Sequence, residues 1–260
     1  PLGEKDRLEA AGNGTVYDAV HGRYHPFFHL LQARQGYYDV FLFDPAGDLV
    51  YTVFKELDFA TNLVTGRWKD TGLGEAYRAA AAIGSDDPSV YVDFAPYAPS
   101  HDAPASFIAR PVFDAKGARI GVVAYQMPIG AINAIMQDAA GLGETGDAFV
   151  VGADGLMRTD VPRTEVDDIL STQVENAAVA AALAGGAAVG EFPDQAGTHI
   201  FTAARPLEFL GTRWAAVARE DSREVFAPLL TMRNAILLRA GAVVLAGLVL
   251  SLLVARNIVR

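Results

Sequence analysis

Tyr37-Tyr-Asp-Val-Phe-Leu-Phe-Asp44, Pro45-Ala-Gly-Asp48 and Leu49-Val-Tyr-Thr-Val-Phe54 decide the fold of this 260-residue chain. Aromatic and β-branched residues suit a pleated, half-buried surface, and a Pro/Gly/Asp turn between two such runs closes a hairpin. On its N-terminal side, residues 15–34 carry Val16, Val20, Tyr24, Phe27 and Leu31 at three-to-four spacing, one face of a helix, with Gly36 placed to cap its end. Pro26 is expected to kink or restart that helix, because it has no amide to donate and crowds the preceding turn. His21, His25 and His29 repeat every fourth residue, but the expected kink and the lack of a nearby acidic or thiol residue argue against a metal site.

On the C-terminal side, Lys55-Glu-Leu-Asp-Phe-Ala-Thr-Asn62 leaves the sheet and leads through Gly66 and Trp68 to a short helix over residues 73–82. Three strands follow, over 90–94, 105–110 and 120–127, the last two joined by the turn Asp114-Ala-Lys-Gly117. Helix, two strands, connector helix, three strands is the order of a PAS-like module, an antiparallel sheet with helices on one side. Residues 129–140 form a helical connector, and the pattern then partly repeats. Ala148-Phe-Val-Val-Gly152 and Leu156-Met-Arg-Thr159 flank an Asp-Gly turn and read as a hairpin. A small-residue helix over 177–183 stops at Gly185-Gly186, and strands over 198–205 and 212–219 close the sheet. Ala109-Arg110-Pro111 and Ala204-Arg205-Pro206 occupy the penultimate strand of each half, the mark of a tandem duplication.

Ala235-Ile-Leu-Leu-Arg-Ala-Gly-Ala-Val-Val-Leu-Ala-Gly-Leu-Val-Leu-Ser-Leu-Leu-Val-Ala255 is long and apolar enough to cross a bilayer, which takes about 20 residues. Arg239 lies near enough to one end to snorkel. Gly247, Ser251 and Ala255 give one face of small side chains on which a second helix could pack, so a homodimer is expected. Arginines flank the span on both sides and do not orient it. Val225, Leu229, Met232 and Ile236 continue at helical spacing from the second module into the span. Pro1-Leu2-Gly3-Glu4 has neither an initiator Met nor a signal sequence, so an upstream segment is expected. The fold class is α+β: a long N-terminal helix, two tandem PAS-like antiparallel-sheet modules, then a C-terminal transmembrane helix.

A net charge of −10 argues against a nucleic-acid partner, which needs clustered Lys and Arg. The lack of cysteine excludes a disulfide framework and thiolate metal sites. Gly141-Leu-Gly-Glu-Thr-Gly146 matches the dinucleotide fingerprint by letter, but a helix precedes it and a strand follows, the reverse of what a pyrophosphate site needs, so it reads as a linker turn. Asp86-Asp87 and Asp167-Asp168 read as solvated charges, no catalytic constellation is found, and nothing calls for a cofactor. The first module instead concentrates aromatic and polar residues. Trp68, Tyr91, Asp93, Tyr97, Ser106 and Tyr125 are the candidate ligand-binding residues, because small-molecule pockets combine aromatic walls with a few placed polar groups. Two-residue alternation puts Tyr91 and Asp93 on one face of their strand.

Tyr38-Asp-Val-Phe-Leu-Phe-Asp44 with Val50-Tyr-Thr-Val-Phe-Lys-Glu56, Asp58-Phe-Ala-Thr-Asn-Leu63, Pro96-Tyr-Ala-Pro-Ser100 with Pro104-Ala-Ser-Phe-Ile108, and Gly152-Ala-Asp-Gly-Leu-Met-Arg158 resemble the extracytoplasmic region of bacterial double-Cache chemoreceptors of the methyl-accepting type. The resemblance covers nearly the whole chain. It implies an N-terminal helix over 1–36, a membrane-distal module over 37–140 and a membrane-proximal module over 141–221. It further implies a juxtamembrane helix and span over 222–260, with Arg256 onward starting a HAMP connection. Residues 1–230 would be periplasmic, 235–255 would meet inner-membrane lipid, and a small-molecule ligand would bind the distal module. A region following Arg260 would engage a chemotaxis kinase and its coupling protein. Gly66-Arg-Trp-Lys69 lacks the Arg-x-Trp-Tyr signature of amino-acid-binding members, which leaves amino-acid specificity unsupported. The sensor of a transmembrane histidine kinase or nucleotide cyclase, and a protein-binding ectodomain, are the alternatives.

Overall fold

The computed structural model describes residues 2–85, 88–138, 141–164, 167–194 and 197–258; the Asp86-Asp87 pair lies outside them. Helix α1 (Val16–Gln35) starts where the Thr15 side chain accepts a bond from the Asp18 amide, and ends at Gly36, whose φ of +74° suits a residue without Cβ. It is one continuous helix through Pro26, so the chain does not restart there. His21 and His25, buried in the turn before Pro26, and Phe28, packed just after it, hold both turns against the sheet and offset the missing hydrogen bond. The helix is inverted relative to its hydrophobic pattern. Its histidine side faces inward, while Val16 and Phe27 are 82% and 62% exposed and Val20 and Tyr24 are also exposed.

The expected hairpin is β1 (Asp39–Phe43) with β2 (Leu49–Thr52). Helix α2 (Gly72–Ala81) follows, then β3 (Val90–Tyr97), β4 (Ala103–Phe113) and β5 (Arg119–Gln126), in an antiparallel sheet ordered β2-β1-β5-β4-β3. Its inner face, with Phe41, Phe43, Phe107 and Val122, packs on Leu73, Ala76, Tyr77 and Ala80 of α2. Each such Phe or Leu contributes ~1.5–3 kcal/mol on burial. At Gly121 a Cβ would come within 2.2 Å of the Phe43 carbonyl oxygen, so only glycine lets β5 pass β1 this closely.

Helix α3 (Ile129–Met136) leads to the second sheet, β6 (Asp147–Val151), β7 (Ala188–Pro193), β8 (His199–Phe209) and β9 (Thr212–Asp221), ordered β6-β9-β8-β7. Helix α4 (Ala177–Leu183) covers it. Residues 156–159 return beside β6 through the bridge of Val151 with Met157 and the bond from the Arg158 amide to the Val150 carbonyl at 2.8 Å, a short turn-back rather than a full second strand, and Leu156 bridges onward to Gln173. Strand β7 escaped the sequence reading because Gly190, Glu191 and Pro193 break its apolar pattern. The duplicated step keeps its place: Arg110 and Pro111 pair with Val123 and Val122, and Arg205 and Pro206 pair with Ala216 and Ala215.

Helix α5 (Ser222–Ile258) has 37 residues, about 55 Å at 1.5 Å per residue. It is long and apolar enough to cross a membrane. Its first turn is gripped by the loop before β6: the Glu224 carboxylate accepts from the Glu144 amide at 2.7 Å and the Thr145 amide at 2.8 Å, and Thr145 Oγ1 accepts from the Asp221 amide at 3.0 Å. Residues 141–146, a nucleotide fingerprint by letter, thus serve as a clamp on α5. Gly143, at φ +69°, holds a backbone conformation that suits glycine, and a Cβ there would displace the Glu224 carboxylate.

Candidate functional site

One end of the first sheet gathers carboxylates. Asp39 opens β1 opposite Gln126, the last residue of β5. Its carboxylate accepts from the Thr52 hydroxyl, the Val53 amide at 2.8 Å and the Val40 amide at 2.6 Å. Burial pushes Asp39 up to about 7 despite these donors. The loop that follows β2 turns at Lys55, φ +53°, and brings in Glu56 and Asp58. Glu56 accepts from the Ser100 hydroxyl and from the Tyr38 hydroxyl at 3.0 Å. Asp58 is 0% exposed. One of its oxygens accepts from the Tyr97 hydroxyl, and the other, Oδ1, has no partner among the described residues. Burial, with the charge of Glu56 adding to it, raises Asp58 to about 6. Gln126 Oε1 is likewise buried without a partner. No Lys, Arg or His pairs with Asp39, Glu56 or Asp58 among the described residues. Such a site accepts hydrogen bonds and favours a positive charge. A cleft of about 510 Å³, lined by Tyr38, Phe54, Pro104, Gln126, Ile129 and Asp160, opens beside it.

The six residues singled out in the sequence fall in three places. Trp68 and Tyr97 belong to the carboxylate end: Trp68 Nε1 donates to the Leu57 carbonyl at 3.1 Å and pins the loop that carries Asp58. Tyr91 and Asp93 share a face, as alternation requires, but that face meets the second module. The Tyr91 hydroxyl donates to Asp93 at 3.3 Å, and Asp93 accepts from Arg158 Nη2 at 2.9 Å and Trp214 Nε1 at 3.1 Å. Ser106 is buried on the adjacent strand facing the Tyr91 hydroxyl. The Tyr91 ring packs edge-on to Phe209 and Trp214, 5.0 and 5.8 Å between centroids. Arg158 also pairs with Asp154 at 3.0 Å, and a Cβ on Gly152 would overlap its guanidinium. Tyr125 lies apart, 4.6 Å from the Tyr37 ring. Asp39, Glu56, Asp58, Ser100 and Gln126 escaped the sequence reading. The signal was present in Lys55-Glu-Leu-Asp58, two acids in a run that leaves the sheet between apolar strands.

No protein-family model and no curated protein sequence matches the chain. Solved structures do match. The periplasmic sensory domain of the Campylobacter jejuni chemoreceptor Tlp1 is 14% identical, with a TM-score of 0.55 and 87% of each chain covered. The ligand-binding domain of the Pseudomonas aeruginosa PAO1 amino acid chemoreceptor PctC, solved with GABA, is 19% identical, with a TM-score of 0.52, 84% of this chain and 86% of that one covered. That of PctB from the same organism, solved with L-Arg, is 18% identical, with a TM-score of 0.52, 90% and 84% covered. The chain has the fold of bacterial chemoreceptor ligand-binding domains, as its resemblance to the double-Cache type led one to expect.

Proposed function

We propose that this chain is the extracytoplasmic sensor region of a dimeric transmembrane chemoreceptor, and that its distal module binds a small solute carrying a protonated amine. It acts by binding, without catalysis. The observation that carries the reading is the buried, unpaired Asp58 oxygen amid the Asp39 and Glu56 carboxylates. An ammonium group would supply the missing donor and the missing charge at once. The cleft at Gln126 would supply a route in, and Trp68 and Tyr97, buried in the first core, would stand beside the loop that carries Asp58. The neighbours solved with GABA and L-Arg support the same ligand chemistry. Tyr91, Asp93 and Ser106 enter as the relay to the second module, and Tyr125 as part of the contact with α1. Ligand binding would bias two arrangements of the modules, and α5 would carry the difference across the inner membrane to a chemotaxis kinase.

The test is thermal unfolding of the full chain in lipid nanodiscs against amines, amino acids, carboxylates, purines and sugars. A ligand at one hundred times its dissociation constant adds ~2.7 kcal/mol, roughly 5 to 11 °C at this size. An amine hit that disappears in a folded Asp58→Asn variant supports the site. A hit untouched by that change, or hits confined to compounds without an amine, would remove it. Fusion to a chemoreceptor cytoplasmic region tests signalling: a ligand that binds yet never alters kinase output rules out the receptor reading.

A further inference from the structure

A second cavity lies at the other end of α1, between the N-terminal segment, the start of α1, the start of β2 and the loop that follows β2. It encloses about 580 Å³, walled by Leu8, Tyr17, Leu49 and Phe59, with His21 and Lys55 also in its lining. The two polar groups are complementary. His21 Nδ1 lies 2.7 Å from the Glu9 carbonyl oxygen, and a carbonyl can only accept, so Nδ1 carries the hydrogen. In the neutral ring Nε2 is then a bare lone pair. His21 is 7% exposed, and Nε2 has no partner among the described residues. A buried acceptor left without a donor is rare in folded proteins.

Lys55 brings the opposite need. Its ammonium donates to the carbonyls of Val53 at 3.0 Å and Lys5 at 3.3 Å, and no carboxylate lies within ion-pair distance among the described residues. Burial lowers it to about 8, opposed by the more distant charges of Asp39 and Asp6. The acids at the rim are engaged: Asp18 accepts from the Ala11 and Gly12 amides at 2.5 and 3.0 Å, and the exposed Asp48 accepts from Asn62 at 2.9 Å.

We propose that this groove binds a small aromatic monocarboxylic acid, its ring against Tyr17 and Phe59 and its carboxyl group spanning His21 Nε2 and Lys55 Nζ. A carboxylate oxygen would repel the bare Nε2, so a carboxylate arriving from neutral solution takes up one proton, held between that oxygen and Nε2. The second oxygen accepts from Lys55. The other titratable rings facing His21 are His25, stacked at 4.6 Å, Tyr51 at 5.5 Å and Tyr17 at 5.8 Å. This site shares no residue with the amine site and carries the opposite charge preference, and the Asp39 charge acts on Lys55 from a distance.

Benzoate is the probe, titrated calorimetrically into the full chain in nanodiscs in two buffers of different ionisation heat, with benzamide, phenol and anilinium as comparisons. Saturable 1:1 binding of benzoate with uptake of about one proton is expected. Lys55→Met and His21→Phe, the second keeping a ring in the stack, should each weaken it at least tenfold, and Asp58→Asn should leave it unchanged. No saturable benzoate heat, equal affinity for benzamide or phenol, or full affinity in a Lys55→Met variant that unfolds normally would overturn the proposal. Should His21→Phe fail to fold, the Lys55→Met affinity and the proton count decide.

Discussion

Among the described residues, Asp58 Oδ1 and Gln126 Oε1 of the first module are buried without a well-formed hydrogen bond. In the second, Thr159 Oγ1 accepts from the Val150 amide at 3.0 Å, and Asp168 accepts from the Thr172 hydroxyl at 2.6 Å and the Val161 amide at 3.3 Å. The two sheets share an antiparallel layout with a covering helix, so architecture alone does not explain the contrast. A buried polar atom without a partner costs ~1–3 kcal/mol. The first module tolerates that cost at the end where a cleft opens, and the second spends its buried polar groups on holding loops and on Arg158. Among the described residues, one half of a repeated fold thus keeps buried acceptors without donors beside a cleft, and the other meets its own.

The sharpest way to break this contrast is at the junction. Arg158→Met removes the buried guanidinium that bridges the partly exposed Asp93 and Asp154 and should cost about 2–3 kcal/mol, as hydrogen bonds to charged groups are worth ~1.5–3 kcal/mol. Thermal unfolding should show it, with the modules melting separately; a single unshifted transition would mean that Arg158 does not tie them. Asp58→Asn should act the other way. The folded-state value of Asp58 is raised, so its contribution is complete below the unfolded value of 3.8 and is lost as pH rises through about 6. The amide escapes that loss and should gain up to about 3 kcal/mol at pH 8, by roughly 1.4 kcal/mol per unit, and little at pH 4. His25 sets the acid limb. Burial holds it down to about 4, so its contribution is full above 6.5 and fades as pH falls through about 4. Urea titrations from pH 4 to 8 test both limbs.

Smaller changes sharpen the comparison. Trp214→Phe keeps the aromatic packing but deletes the bond to Asp93, and should cost about 1 kcal/mol while weakening transmission more than binding. The helix caps give the mildest test. Asn176 accepts from the Val179 amide at 2.8 Å at the head of α4, whereas Thr71 accepts from the Gly74 amide at 3.4 Å at the head of α2. Asn176→Ala should cost about 1 kcal/mol and Thr71→Ala about half that. Equal losses in denaturant titrations would show that cap geometry does not matter here.

Local rules made much of the fold legible. The aromatic hairpin, the Asp-Gly turn, the Gly36 cap and the helical run from Val225 into the span all follow from residue type and spacing, and all are present. The inversion of α1 was not legible, because which face of a helix turns inward depends on what the N-terminal segment offers. Here it offers carbonyls: Asp6 and Glu9 accept from His25 and His21. The candidate site was half legible for a related reason. Trp68 and Tyr97 stand out by type, but Asp39 and Asp58 look like ordinary surface acids until the loop at residues 55–71 folds over them. Asp93 was found for its chemistry, while its partners Arg158 and Trp214 lie 65 and 121 residues away.

The clamp of residues 141–146 on Glu224 has a mechanical consequence. Strand β5 ends at Gln126, beside the carboxylates, and the chain runs from there through α3 directly into the loop that grips the head of α5. On the proposed reading, two routes would therefore reach the head of α5: the connector α3, and the Asp93–Trp214 contact into the second sheet, whose strand β9 leads straight into α5. A displacement common to both routes would then shift the rod along its axis, and a difference between them would tilt it.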